Sequence, residues 1–155
     1  MSRVPVNRIT ARVIAHATED ETKVMKALRT VLGDVLDEDD VNIEFMYAEG
    51  HHGNPITIIQ VDLDKNKHLR KVLEHWEKNL PEEEREHMWE DIERRIDDKG
   101  NLYLRFDKQR AYMGELRLSE ADDVIRVKVN LESYPASREG GMRTLKKLDA
   151  FSSEG

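Results

Sequence analysis

Apolar residues recur along this chain with two periods. Alternation at every second position marks strands, and recurrence at three and four marks helices. Ile9, Ala11, Val13 and Ala15 alternate with Thr10, Arg12 and Ile14, which predicts a strand over residues 9–17. Residues 1–7 are expected to fray, with Pro5 resisting regular structure. Thr18-Glu19-Asp20-Glu21 has the form of a capping box, in which hydroxyl and carboxylate each accept an amide proton of the other residue. It opens a helix carrying Val24, Ala27, Leu28, Val31 and Leu32, which Gly33 can close.

Residues 41–48 predict a second strand, with Val41, Ile43, Phe45 and Tyr47 on one face. The loop Gly50-His51-His52-Gly53-Asn54-Pro55 follows, and residues 56–63 return as a third strand, antiparallel to the second. Residues 66–80 and 81–96 predict two helices, the first burying Leu69, Val72, Leu73 and Trp76, the second Met88, Trp89, Ile92 and Ile96. Pro81 suits a first helical turn. Leu102, Leu104 and Phe106 define a strand, Leu116 and Leu118 a shorter one, and Ile125, Val127, Val129 and Leu131 the clearest of all. A last helix over residues 137–150 buries Met142, Leu145 and Leu148, with Gly140-Gly141 weakening its first turn. Residues 151–155 read as a disordered tail. The order β-α-β-β-α-α-β-β-β-α implies a single α+β domain with a mostly antiparallel sheet and helices on one face. Its ordered core spans about residues 8–150.

Composition narrows the chemistry. The chain has 155 residues and no cysteine, so disulfides, thiol nucleophiles and cysteine-ligated metals are excluded. No apolar run approaches the roughly 18 residues of a membrane span, and residues 1–20 hold no signal-like core, which implies a cytoplasmic protein without membrane contact. The net charge is −7, but residues 101–155 carry +1 and residues 1–100 carry −8. The acidic excess lies in the first two-thirds, including the stretches 37–40 and 81–93. Such runs are usually solvated faces. A calcium loop at 37–40 would need alternating oxygen ligands and a central glycine, which are missing.

Candidate catalytic groups are sparse. There is no phosphate-binding glycine fingerprint and no nucleophile motif. His51 and His52 with Glu49, and His16 from another strand, could form a metal or hydrolytic site, but adjacent histidines on a tight loop rarely point at one ion. The final strands are more informative. Tyr103, Arg105, Arg117, Arg126 and Lys128 should stand opposite the apolar set. Lys108, Gln109, Arg110 and Tyr112 lie on the connection between strands, and Arg138, Arg143, Lys146 and Lys147 on the last helix. Basic and aromatic side chains on one surface can bind phosphates and stack on bases. The alternative is that Arg105 and Arg126 pair with nearby acids such as Asp107 and Glu132.

Three separated motifs add a family. His16-Ala17-Thr18-Glu19-Asp20, Glu49-Gly50-His51-His52-Gly53-Asn54-Pro55 and Leu104-Arg105-Phe106-Asp107-Lys108-Gln109 occur in this order. Over residues 9–148 the chain resembles the archaeal RNA-binding-domain family, first grouped as a conserved domain of unknown function and described as predicted exosome subunits. The resemblance implies a fold like that of the large-subunit ribosomal protein that binds 5S rRNA. It also implies a non-catalytic RNA-binding protein without cofactor, with structured or ribosomal RNA and exosome or ribosomal proteins as partners. The expected contacts are Arg105, Lys108, Gln109, Arg110 and Tyr112, with Arg126 and Lys128 beside them and His51, His52 and Asn54 as a second edge. The alternative is a protein-interaction or assembly module without direct RNA contact, presenting the acidic helices of residues 66–96 to a basic partner.

Overall fold

A computed structural model describes residues 3–153, except for the side chain of His51. Five strands form one antiparallel sheet in the order β2-β3-β1-β5-β4. They are β1 (Val6–His16), β2 (Asn42–Glu49), β3 (Pro55–Leu63), β4 (Asn101–Asp107) and β5 (Val124–Leu131). The helices are α1 (Glu21–Leu32), α2 (Asn66–Asn79), α3 (Glu82–Glu90), α4 (Ile92–Arg95), α5 (Lys108–Tyr112) and α6 (Arg138–Lys146). The first strand of the chain therefore lies at the centre of the sheet, between β3 and β5.

Strand alternation sorts the side chains. Ile9, Ala11, Val13 and Ala15 of β1, Ile59, Val61 and Leu63 of β3, and Val127, Val129 and Leu131 of β5 are buried. They join Leu28, Val31, Val72 and Trp76 of α1 and α2 in one core. Helices α1 and α2 pack on β1, and α6 packs on β4 and β5. The indole N–H of Trp76 donates to the Val31 carbonyl at 2.7 Å, which satisfies the only polar atom of that buried ring.

Several expectations need correction. Helix α1 is capped by Asp20, which accepts from the Thr22 amide at 2.8 Å, not by Thr18. The Glu19 carboxylate is drawn elsewhere, accepting from the His16 amide and the Lys108 ammonium. Leu116 and Leu118 do not form a strand. Asp107 and Ser119 donate amide protons to the Arg117 and Arg105 carbonyls, but Leu118 makes only an isolated bridge with Phe106. The Leu118 amide points away from β4 and donates to Glu84 of α3 at 3.0 Å. The connection between these segments is a short helix, α5, capped by Asp107. The helix expected over residues 81–96 breaks at Asp91 into α3 and α4.

The chain ends are packed further out than their composition suggests. Val6 belongs to β1 and is buried, and Phe151 is buried with its ring 5.6 Å from that of Trp76. Arg85, buried, donates to the Trp76, Glu77 and Leu80 carbonyls at the end of α2 and to the Ser152 carbonyl. It caps one helix and fastens the final turn with the same guanidinium. The Gly140-Gly141 pair serves packing: a Cβ on Gly141 would stand 2.7 Å from the Gly100 Cα, so only glycine lets α6 approach the turn before β4.

Candidate nucleic-acid interface

The sheet face away from the helices carries a cationic cluster, and strand register builds it. Arg12 of β1 lies opposite Arg126 of β5, and Arg126 lies opposite Arg105 of β4. With strands about 4.8 Å apart, three guanidinium-bearing residues stand in a row about 10 Å long. The next row on the same face holds Thr10, Lys128 and Tyr103. Like charges directly opposite each other oppose sheet formation. Among the described residues, Arg12, Arg126 and Lys128 have no hydrogen bond or ion pair that would offset this. Arg105 donates to the Ala121 carbonyl at 2.6 Å and reaches Asp122 only at 4.0 Å. Neither Asp107 nor Glu132 neutralises these arginines: Asp107 caps α5, and Glu132 pairs with Arg3.

These side chains, with Gln60 of β3, line a shallow depression of about 380 Å³. Tyr103 stands at its rim, 42% exposed, and its hydroxyl donates to Asp97 at 2.9 Å. Burial would push the Asp97 carboxyl up, but bonds from the Asn101 amide and side chain and from Tyr103 outweigh it, lowering its pKa to about 2. Burial and the same carboxylate raise the pKa of the Tyr103 phenol. The ring is thus a neutral, fixed platform beside the cations.

The α5 residues do not join this face as a group. Lys108 is 2% exposed, and its ammonium lies 2.9 Å from the Ile14 carbonyl, 2.7 Å from Glu19 and 2.7 Å from Asp123. It is a buried ionic knot joining β1, the start of α1, α5 and the approach to β5, because three oxygens already saturate its donors. Gln109 and Arg110 are exposed, with Arg110 paired to Glu115 at 3.3 Å. Tyr112 turns to α1, where the ammonium groups of Lys23 and Lys26 stand 5.4 and 4.9 Å from its ring centroid.

The β2–β3 loop lies beyond the end of β1 at which His16 faces Ile56. His52 occupies the left-handed region at φ 60° and, like Asn54, is exposed; the side chain of His51 is outside the described residues. All three motifs noted in the sequence therefore meet at one end of the sheet. Among the described residues, two groups of histidine and acids are close enough to share an ion: His16, Glu19 and Asp123, and Glu38, Asp40 and His68. Both already contain ammonium groups. Lys108 lies between Glu19 and Asp123, and Lys65 and Lys67 both bond Asp40, holding its carboxyl well below the usual range.

Arg12 completes a cluster whose other members the sequence already indicates. The signal for Arg12 is a charged residue at an outward position of an otherwise apolar strand, but its neighbours come from β5, more than a hundred residues away.

Comparison with known proteins places this geometry. A sequence model described as RNA binding matches residues 8–131. RNA-binding protein PAB1135 of Pyrococcus abyssi is 35% identical over 145 residues, 94% of each chain. The crystal structure of protein AF2318 from Archaeglobus fulgidus superposes with a TM-score of 0.78 at 32% identity, covering 92% of this chain and 99% of that one. Mth689 of Methanothermobacter thermautotrophicus, a DUF54 protein, gives 0.75 at 34% identity, covering 92% and 97%.

Proposed function

The chain belongs to the RNA-binding family, and on that premise we propose that it is a non-catalytic RNA-binding protein that takes structured RNA on the open face of its sheet. The observation that carries this is the row Arg12–Arg126–Arg105, with Lys128 in the adjoining row. Such a row is electrostatically unfavourable in the free protein and becomes favourable when phosphates lie along it. One fixed aromatic, Tyr103, is too little for a single-strand reader, which usually stacks several bases. A flat cationic face suits the phosphates of a folded RNA better. Gln109 and Arg110 extend the surface at its rim, and Lys108 acts through the fold.

The overall charge of −7 supports a local contact rather than a general affinity for polyanions. The exposed acids Glu86, Glu90 and Glu93 on α3 and α4 support a basic protein neighbour, of the kind found in RNA-processing or ribosomal assemblies. Affinity for a folded and an unstructured RNA, measured over a salt series, tests the reading. The expected result is tighter binding of the folded RNA, with a salt slope that becomes shallower in Arg12→Ala and Arg126→Ala. Binding that is absent at low salt, or unchanged in both variants, overturns it.

A further inference from the structure

Strand β2 is one edge of the sheet, and it lacks the devices that usually block an edge. It pairs with β3 in unbroken register from Asn42 to Glu49, without a bulge. Its sequence, Asn-Ile-Glu-Phe-Met-Tyr-Ala-Glu, contains no lysine and no proline. Edge strands are ordinarily protected by such residues, by bulges or by a covering element. Here Phe45 is 43% exposed and Tyr47 75% exposed, although both lie on the face that the helices cover elsewhere. Met46 is exposed on the other face.

The hydrogen-bonding phase of this edge can be derived. Gly50 donates to the Asn54 carbonyl, and Glu49 lies opposite Pro55, which has no N–H. In an antiparallel pair, residues alternate between those bonded to the partner strand and those turned away from it. The even-numbered residues of β2 therefore bond to β3. The amides and carbonyls of Ile43, Phe45, Tyr47 and Glu49 point outward, and these are the residues whose side chains leave the core face uncovered.

We propose that β2 pairs antiparallel with β2 of a second copy of this chain about a two-fold axis, with Phe45 opposite Tyr47 of the second copy and Met46 opposite Met46. This register uses every outward-facing amide of the strand. It sets aromatic against aromatic on one face and methionine against methionine on the other. It also places Glu44 opposite Ala48 and Glu49 opposite Ile43, so no carboxylate faces another, whereas a shift that brought Glu44 onto Glu44 would oppose two. The product is a continuous sheet across both copies, with the two cationic faces on the same side. Self-pairing also explains why the centre of the edge, Phe45-Met46-Tyr47, is apolar in a strongly charged chain: a partner of opposite charge would call for a charged centre.

The absence of cysteine makes a direct test simple. Met46 and its symmetry mate would be a pair not bonded to each other, with Cα atoms about 4.5 Å apart, within the range a disulfide spans. Under mild oxidation of the full-length chain, Met46→Cys is expected to give a covalent dimer at least tenfold faster than Glu44→Cys, which faces Ala48. Sedimentation of the unmodified chain should give twice the monomer mass at micromolar concentration. Tyr47→Lys, which opposes charge to Phe45 without touching the core, should give a monomer with an unchanged circular dichroism spectrum. A monomeric unmodified chain overturns the proposal, whatever RNA it binds. So does a dimer that Tyr47→Lys leaves intact, or in which Met46→Cys cross-links no faster than Glu44→Cys.

Discussion

Replacing Arg126 with threonine should move stability and RNA affinity in opposite directions. Arg126 stands opposite Arg12 on one side and Arg105 on the other, so one substitution removes two like-charged cross-strand pairs. Each such pair is unfavourable by roughly 0.2–1 kcal/mol. The side chains are solvent-facing, so ionic screening holds the value near the lower end. Two pairs then give about 0.4–0.6 kcal/mol of relief, less the packing lost with the arginine stem. Threonine keeps the preference for a pleated strand. At this chain length 1 kcal/mol corresponds to about 2–4 °C, so the melting temperature should rise by about 1–2 °C in low salt, and by less as salt is added. The same change removes one phosphate contact, and the slope of log affinity against log salt should become shallower by about 0.7–0.9. Thermal melts and RNA titrations at three salt concentrations measure both effects. A lower melting temperature with unaltered RNA binding would show that Arg126 is a structural residue, and the reasoning would fail.

Three further outcomes follow from the geometry. Lys108→Met leaves Glu19 and Asp123 facing each other without their cation and should cost about 2–4 kcal/mol in chemical denaturation, since breaking a largely buried pair leaves charge uncompensated. Phe151→Ala should cost about 3–5 kcal/mol by opening a cavity beside Trp76; a cost below about 1 kcal/mol in the same assay would remove Phe151 from the core. The Asp97 carboxyl has a folded pKa of about 2, below its ordinary 3.8, so its stabilisation is complete above about pH 4 and is lost as pH falls through about 2. Asp97→Asn should flatten the acid limb of the stability–pH curve in that window, and an unaltered limb would contradict the assignment.

Alternation in β1 and β5 was fully legible, because each presents one apolar and one polar face. Leu116 and Leu118 show the same alternation yet make no strand: β4 passes directly into α5 after Asp107 and residues 121–123 bend away towards β5, so only one bridge forms. The α1 cap slipped from Thr18 to Asp20 because the chain first turns, with the Glu19 amide donating to the His16 carbonyl, so the helix starts only at Glu21. Phe151 follows a helix end in a serine-rich stretch, and nothing local reveals that Trp76 awaits it. The site divides in the same way. Arg105, Arg126 and Lys128 follow from the pleat of two adjacent strands. Arg12 depends on β1 lying next to β5, and the burial of Lys108 depends on Glu19 and Asp123. Contacts between distant segments were invisible because periodicity reports only which way a residue faces.

The central place of β1 has a consequence for how the chain reaches its fold. Strand β1, made before the other four strands of the sheet, is enclosed by β3 on one side and by β5 on the other, and β5 begins only at Val124. Until β5 (Val124–Leu131) has left the ribosome, β1 and β3 can form only a partial sheet, with the inner edge of β1 open. Pairings so far apart in sequence also slow the final closure. A nascent chain halted before residue 124 therefore exposes an apolar strand edge to any neighbour.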